Sequence, residues 1–361
     1  MESNITFGKG SVLIPWAFDP EDTKSWEQTR FHLQNNGEVH RFGGSELSKV
    51  TDNNPYEGAL YLFNVKLGRT TPRPVSLRMI NGNYVESTIL KYLEHYEAED
   101  GSSENTAGNV VNDNKVRDIA KAHFFLENPN YPCMLISLDG VLEKGQVSLH
   151  DSSVKLDFTT FVEVKNVSWS SFNTWGGVIP TYYMTQLQGS MAVANIPYCY
   201  FAVFVDNNDL HVWKVDREDA WSVALDDATR DLSIRIAKAK AILLEIEKAD
   251  NVSLQEELYS KLYELEPTAG AEKYTADLVK TVYDNDLDDD SAQESIIGGE
   301  EEYELAESYL ARTAEIKELT KEKEICKNRL LQAMHGHKVM ETGDFKISNG
   351  YRFGVKRVKG G

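Results

Sequence analysis

The stretch TTFVEVKN, Thr159 to Asn166, decides how the fold is interpreted. It alternates like a β-strand, so that Phe161, Glu163 and Lys165 share one face and the intervening valines share the other. Both faces therefore carry apolar residues, and a carboxylate and an ammonium group stand two residues apart among them. Because exposed charges are common, one interpretation is an edge strand with a solvated Glu/Lys pair. The alternative is a functional pair, which requires partners from elsewhere in the chain.

The composition is that of a globular chain with more than one structural part. Its 361 residues exceed what one hydrophobic core usually fills, and 41% hydrophobic residues are enough to build a core. The three cysteines, Cys133, Cys199 and Cys326, are dispersed, which fits neither a disulfide framework nor a C-x-x-C metal site. No apolar run approaches the roughly 18 residues of a membrane span. We expect a cytoplasmic protein.

The net charge of −19 argues at first against a nucleic-acid partner, because phosphate binding needs a positive field. The charge is unevenly distributed, however. The stretch 284–307 is strongly acidic, whereas 345–361 contains five lysines and arginines and no acidic residue. A local basic surface is therefore compatible with the overall charge.

Helix and strand signals alternate through the first part of the chain. Segment 83–96 has apolar residues at helical spacing, Pro180 opens a second helical stretch, and 198–215 indicates two strands joined by a tight turn. This alternation predicts an α/β fold with a mixed central sheet flanked by helices.

Beyond the sheet region the character of the sequence changes. A long amphipathic helix is predicted after Asp216, and it is followed by acidic sequence and then by a second charged helical stretch. We predict three parts: a core domain over 1–250, an acidic linker or insertion over 251–302, and a helical, coiled-coil-like extension with a basic C-terminal tail over 303–361.

A second carboxylate is expected beside the VEVK motif. The apolar run CMLISLDG ends at Asp139, and consecutive strands of a sheet are neighbours roughly two-thirds of the time. If Asp139 lies beside Glu163, the two carboxylates repel unless one is protonated or a cation binds both. Mg²⁺ favours a few carboxylates together with water and phosphate oxygens. This constellation predicts metal-dependent phosphate chemistry.

Two further polar residues occur on apolar flanks of predicted helices. Glu86 lies one turn from Ile89 and Leu90, and a buried carboxylate needs a partner. Gln186 occupies a similar position in the helix that Pro180 opens. Each alone could be a satisfied polar group of the core. Together with Asp139 and Glu163 they are candidates for one site.

These motifs together resemble the YqaJ-type viral recombinases, a lambda-exonuclease-like family of PD-(D/E)xK nucleases. The resemblance covers about Trp26 to Val215. It rests on five stretches in order: GGSELSKV, GNYVES with Glu86, SLDG with Asp139, VEVK with Glu163 and Lys165, and YYMTQLQGSM with Gln186. It implies that the core domain is a restriction-endonuclease-like exonuclease core.

The resemblance also implies a role for each motif residue. Asp139, Glu163 and the Val164 carbonyl would ligate Mg²⁺, for which Mn²⁺ would substitute, and Lys165 would hold or activate the attacking water. Glu86 and Gln186 would support the metal-bound waters and the lysine. The catalytic set implied in this way is Lys165, Glu163, Asp139, Glu86 and Gln186.

A terminal 5′-phosphate site is implied near the start of the family region. Arg30 keeps the family spacing to Trp26 and would bind the phosphate together with Ser45. The insertion FHLQNNGEVHRFGG separates Arg30 from Ser45, however, where the family usually runs directly from arginine to serine. Arg41 within this insertion is therefore a competing candidate.

The implied function is a Mg²⁺-dependent 5′-to-3′ exonuclease that acts on linear double-stranded DNA ends and generates single strands for phage-type recombination. The family also implies a homo-trimer, a single-strand annealing protein as partner, and a location in the cytoplasm of a bacterial or phage-infected host cell. One alternative is a structure-specific or opposite-polarity nuclease of the Cas4/RecB-like type. These often hold an iron–sulfur cluster on four cysteines, against which three dispersed cysteines argue. A second alternative is a non-catalytic DNA-end binding protein.

Overall fold

The structure is a computed structural model, and it describes a discontinuous part of the chain. The described residues are 12–15, 23–35, 39–74, 76–95, 119–122, 124–142, 160–206, 208–286, 298–335, 337–342, 345–349 and 353–357. The chain divides into two compact units, Met1–Leu287 and Asp288–Gly361. None of the described helices is both long and apolar enough to cross a membrane.

The first unit contains nine of the described helices and eight of the described strands. The helices are α1 (Thr23–Asn35), α2 (Gly44–Val50), α3 (Ala59–Leu67), α4 (Leu77–His95), α5 (Trp169–Thr174), α6 (Thr181–Ala194), α7 (Asp219–Ile246), α8 (Val252–Tyr263) and α9 (Thr275–Asp286). The strands are β1 (Val12–Pro15), β2 (Ile119–Lys121), β3 (Phe124–Glu127), β4 (Ile136–Ser137), β5 (Gly140–Leu142), β6 (Phe161–Val167), β7 (Tyr198–Val205) and β8 (Asp209–Asp216). The predicted helices at 83–96 and after Pro180 correspond to α4 and α6, and the predicted strand pair corresponds to β7 and β8.

The central sheet has five strands in the order β2-β5-β6-β7-β8. Strands β6 and β7 are parallel, whereas the other neighbouring pairs are antiparallel. The predicted α/β fold with a mixed sheet flanked by helices is therefore confirmed. Strand β6, which carries the VEVK motif, lies in the middle of the sheet, so the edge-strand interpretation of this motif is wrong.

Helices cover both faces of β6, which explains why both faces of this strand carry apolar residues. On one face Val162 and Val164 pack with Ile89 and Leu90 of α4. On the other face Phe161 belongs to the main core, which also contains Leu187 and Met191 of α6. Burying apolar side chains on both faces stabilises a central strand and removes it from water.

Asp139 lies where the chain passes from a small sheet into the central sheet. Strand β4 belongs to a three-stranded sheet in the order β1-β3-β4, and β5 begins the next pairing at Gly140. Leu138 of this connection is buried, which anchors the connection in the core. The Asp139 side chain is therefore held at the junction of two sheets.

A glycine allows α2 and α6 to pack closely. A Cβ atom at Gly189 in α6 would lie 2.1 Å from Leu47 Cδ1 of α2, a distance that real Cβ contacts do not reach. Leu47 is fully buried and cannot move away cheaply. This close packing holds the Gly43-Gly44 segment, where α2 begins, against α6.

Segment 251–302, for which an acidic linker or insertion was predicted, contains α8 and α9, while 287–297 lie outside the described residues. Helix α9 packs on α3 through Leu278 and Val282, which contact Leu60 and Tyr61 in a separate apolar cluster. The helical spacing of the apolar residues in α9 is hard to recognise in the sequence, because acidic residues lie between and after them. The division into three parts stays a prediction.

The second unit consists of a helix and a small sheet. Helix α10 (Glu300–Ala333) is followed by β9 (Val339–Thr342), β10 (Phe345–Asn349) and β11 (Phe353–Arg357), which form an antiparallel sheet with β10 in the middle. The predicted helical extension is confirmed, but the sheet was not predicted. The alternation in FKISN, with turn residues on both sides, was the available signal. Residues 350–352 and 358–361 of the predicted basic tail lie outside the described residues.

Candidate active site

The pairing of β5 with β6 brings Asp139 next to Glu163. The register pairs Gly140 with Val162, so the residue before Gly140 lies opposite the residue after Val162. The Val164 N–H donates a hydrogen bond of 2.8 Å to Asp139 Oδ2. The predicted strand that ends at Asp139 is β4, which pairs with β3 in the small sheet, so its expected pairing with the VEVK strand is wrong. The short strand β5, which begins after Asp139, pairs with β6 instead and brings the two carboxylates together.

Glu163 is a buried carboxylate with one satisfied and one unsatisfied oxygen. Its side chain is 2% exposed, and Oε1 accepts hydrogen bonds from Lys165 Nζ at 2.6 Å and from Gln186 Nε2 at 2.5 Å. Oε2 is buried and has no hydrogen-bond partner among the described residues. Because buried polar atoms are normally paired, an unpaired carboxylate oxygen here is suited to binding a cation.

The site carries more negative charge than its own lysine neutralises. Burial and the charge of Asp139 raise the pKa of Glu163 to about 8, although Lys165 opposes this rise. Burial and Asp139 likewise raise the pKa of Glu86 to about 7, against the effect of Lys121, whose Nζ lies 3.5 Å from Glu86 Oε1. Burial would lower the pKa of Lys165, but the charges of Glu163 and Asp139 outweigh it and raise that pKa. A bound divalent cation would relieve the repulsion between the carboxylates.

The donor set fits a hard cation that keeps part of its water shell. No three His, Cys, Asp or Glu side chains within the described residues are arranged to enclose a metal ion. Two carboxylates, however, are the usual protein contribution to a Mg²⁺ site that is completed by water and phosphate oxygens. The unpaired Oε2 of Glu163 and the carboxylate of Asp139 meet this requirement, and the Val164 main chain lies beside them.

Two residues near this site were not predicted from the sequence. The Tyr183 ring of α6 lies 5.8 Å from Lys165 Nζ, which is within the range of a cation–π interaction. Lys121 of β2 forms the ion pair with Glu86. Tyr183 falls inside the YYMTQLQGSM motif, which was a usable signal. Lys121 has no local signal, because only the pairing of β2 with β5 brings it to the site.

The Gly43-Gly44 segment connects the carboxylate site to Arg30. A Cβ atom at Gly44 would lie 3.4 Å from Gln186 Cγ, so this segment contacts the residue that holds Glu163. A Cβ atom at Gly43 would lie 2.4 Å from Arg30 Nη2, so the guanidinium group lies directly against Gly43. Absence of a side chain at Gly43 allows the close contact with Arg30, whereas a Cβ atom at Gly44 would make an ordinary contact with Gln186.

A partly buried acidic residue, Glu46, pairs with the cationic groups near Gly43. Glu46 in the first turn of α2 forms ion pairs with Arg30 at 3.6 Å and with Lys66 of α3 at 3.1 Å. Burial would raise the pKa of Glu46, but Lys66 and Arg30, with the Gly43 N–H, lower it to about 2. Lys66 was not predicted from the sequence, since its partner is twenty residues away in another helix.

The three candidates for phosphate binding lie in different surroundings. Ser45 is exposed in the first turn of α2, one residue from the Gly43-Gly44 segment. Arg41 lies 3.4 Å from Glu127 of β3, and its guanidinium group also donates to the carbonyls of Leu33 and Pro132. Of the three candidates, Arg30 is therefore the one that contacts the Gly43-Gly44 segment, which in turn contacts Gln186.

Comparison with known proteins identifies the region that contains this site. Residues 25–197 match the YqaJ-like viral recombinase domain. This match confirms the resemblance drawn from the sequence motifs, and all the predicted site residues lie within it. No curated protein matches the chain at a significant level.

Two solved structures are similar to part of the chain. The alkaline exonuclease LHK-Exo from Laribacter hongkongensis has 13% sequence identity and a TM-score of 0.39, over 57% of this chain and 92% of that chain. A phage-related exonuclease from Haemophilus somnus 129PT has 8% identity and a TM-score of 0.34, over 58% of this chain and 97% of that chain.

The raised pKa of Glu163 predicts how the stability of the metal-free protein depends on pH. A carboxyl group whose folded pKa exceeds its ordinary value stabilises the fold at low pH and loses this contribution as pH rises. For Glu163 the loss falls between about pH 4.5 and about pH 8. In the presence of a chelator, Glu163→Gln should therefore gain stability over wild type as pH rises, on the order of 4 kcal/mol at about pH 8.

The measurement is chemical unfolding of both proteins across this pH range. Glu245→Gln, the same change at an exposed position of α7, is the control and should follow wild type. Parallel curves for wild type and Glu163→Gln would contradict the raised pKa.

Proposed function

We propose that this chain is a deoxyribonuclease, and specifically a Mg²⁺-dependent 5′-to-3′ exonuclease; the match of residues 25–197 to the YqaJ-like viral recombinase domain supports this proposal. Its substrate is the end of linear double-stranded DNA, and its product is a single strand used in phage-type recombination. Mn²⁺ is expected to substitute for Mg²⁺. The proposed partner is a single-strand annealing protein, and the proposed assembly is a homo-trimer, both by family resemblance.

One observation carries this proposal. Asp139, directly before β5, lies beside Glu163 and Lys165 of the paired strand β6, and Glu163 Oε2 is buried without a hydrogen-bond partner among the described residues. A purely structural ion pair would not need a second carboxylate that raises the pKa of the first. The arrangement instead favours a site that is completed by a cation and a phosphate, as in PD-(D/E)xK nucleases.

The metal would be held by Asp139, Glu163 and the Val164 carbonyl. When bound, Mg²⁺ supplies Lewis-acid polarisation of the scissile phosphate and lowers the pKa of a coordinated water. Gln186 donates to Glu163 Oε1 and so fixes the orientation of the carboxylate, which leaves Oε2 available. This supporting role resembles that of residues that orient metal ligands in other sites.

Lys165 would act on the reacting oxygens. Its Nζ lies 2.6 Å from Glu163 Oε1, so the ammonium group is fixed beside the proposed metal ligand. A fixed positive charge stabilises negative charge that develops on the attacking oxygen or on the scissile phosphate. Glu86, held by Lys121, would accept hydrogen bonds from water on the side of Asp139.

A pocket for the terminal 5′-phosphate would explain why the enzyme starts at an end. Arg30 is favoured over Arg41 because it lies against Gly43, and the adjacent Gly44 contacts Gln186. A guanidinium group matches the geometry of phosphate oxygens, and the exposed hydroxyl of Ser45 is nearby in the sequence of α2. Binding the terminal phosphate there would place the first linkage at the carboxylates.

Replacing Lys165 tests the catalytic assignment. Lys165→Met keeps most of the side-chain volume but removes the charge, and it should slow Mg²⁺-dependent digestion of linear duplex DNA by at least about 100-fold. DNA binding should change little, because the charge acts mainly in the transition state. Lys214→Met, an exposed lysine of β8 in the same sheet, is the matched control and should digest DNA like wild type.

Three results of this assay would count against the proposal. Lys165→Met activity within a few-fold of wild type would exclude the lysine role. Efficient cleavage of covalently closed circles would favour the structure-specific nuclease. DNA-end binding by wild type with no Mg²⁺-dependent product would favour the non-catalytic alternative.

Replacing each arginine tests end recognition. Duplex with 5′-phosphate ends should be digested about tenfold or more faster than the same duplex with 5′-hydroxyl ends, since charge-assisted contacts are stronger than neutral ones. Arg30→Ala should bring this ratio close to one, whereas Arg41→Ala should preserve it. If only Arg41→Ala removes the preference, the phosphate-binding arginine is Arg41. If wild type shows no preference, the phosphate pocket is absent.

A further inference from the structure

Helix α10 exposes apolar side chains along most of its length. It contains 34 residues, and none of them is buried. Leu305, Tyr309, Ile316 and Leu319 are each more than half exposed. A helix that is stable in a globular protein normally buries an apolar stripe, and the described strands of its own unit do not bury one for α10.

The exposed apolar residues follow a heptad pattern. Intervals of four and three residues connect the members of one seam, which contains Leu305, Tyr309, Arg312, Ile316, Leu319, Lys323, Cys326 and Leu330. Six of these eight positions are apolar or cysteine, which is typical of the a and d positions of a coiled coil. Arg312 is already paired with Glu315 on the same helix. The seam is therefore suited to another helix of similar length.

The charges of α10 are segregated along its axis. The first half, 300–316, contains six glutamates and one arginine. The second half, 317–333, contains five lysines and arginines and three glutamates. A parallel pair of such helices would place one strongly acidic half against another. An antiparallel pair would place each acidic half against a half with net positive charge.

We propose that α10 is a homodimerisation helix, which packs along its seam against α10 of a second copy of this chain in antiparallel orientation. The partner is a second copy because each half of the helix carries the charge that the other half complements. The acidic half makes a DNA backbone an unsuitable occupant. At 1.5 Å per residue the contact would extend about 51 Å, enough for several layers of side chains. The proposal is independent of the nuclease function, and this pairing would join copies in addition to the contacts that build the proposed trimer.

Point substitutions on two sides of α10 test the seam. Ile316→Glu places a charge in the centre of the seam, and Leu310→Glu makes the same kind of change about 120° around the helix. Both side chains are similarly exposed within one copy, so neither change should unfold it. By light scattering on the full chain, Ile316→Glu should halve the mass of wild type, and Leu310→Glu should leave it unchanged. Equal masses for wild type and Ile316→Glu would overturn the proposal, as would a loss caused only by Leu310→Glu.

Cysteine cross-linking tests the orientation. Cys326 is exposed on the seam, whereas Cys133 and Cys199 are buried. When the seams from Leu305 to Leu330 of two antiparallel helices overlap in full, the two Cys326 residues are about 25 Å apart along the axis, too far for a disulfide. Mild oxidation of wild type should therefore give no linked dimer, whereas Tyr309→Cys, which faces Cys326 of the second copy, should give one. A Cys326-linked dimer in wild type, or none in Tyr309→Cys, would overturn the antiparallel arrangement.

Discussion

The candidate site depends on how one buried carboxylate is held in the middle of a sheet. Glu163 lies on the central strand β6, which helices cover on both faces, and Lys165 and Gln186 donate hydrogen bonds to its Oε1. Removing a charged group from water is costly unless it is paired. Here the pairing is incomplete, because Oε2 is left without a partner among the described residues and Asp139 adds a second negative charge. The fold therefore holds a carboxylate pair that a cation would stabilise.

Much of this arrangement could be predicted from local sequence. The alternation in VEVK indicated a strand with two apolar faces, and the SLDG turn indicated where a second carboxylate would stand. Glu86 and Gln186 were detectable because a polar residue on an apolar helix flank needs a partner. The sequence did not show that β6 is central, since burial of a strand depends on what packs on it. Consequently a solvated edge strand was the favoured interpretation of the motif alone.

The residues that sequence missed are those whose partners come from distant elements. Lys121 reaches Glu86 only through the pairing of β2 with β5, and Lys66 reaches Glu46 only because α3 packs beside α2. The sheet of the second unit was missed for a different reason. Its strands are short, and the basic residues of β10 and β11 were interpreted as part of a tail. The coiled-coil-like pattern of α10, by contrast, was visible as a heptad repeat. The segregated charges along α10 favour an antiparallel orientation and a second copy of the chain as the partner.

The central claim is that Asp139 and Glu163 bind one divalent cation, and direct metal binding tests it most simply. Mn²⁺ bound to the protein can be counted by electron paramagnetic resonance and displaced with Mg²⁺. Wild type should bind one Mn²⁺ per chain at this site. Loss of a residue that only supports a metal ligand lowers metal affinity by roughly 10- to 100-fold, and Asp139→Asn, which changes a ligand, should lower it by at least as much. Asp231→Asn, which changes an exposed carboxylate paired with Arg235 on α7, should bind like wild type. Equal Mn²⁺ affinity in wild type and Asp139→Asn would contradict the account.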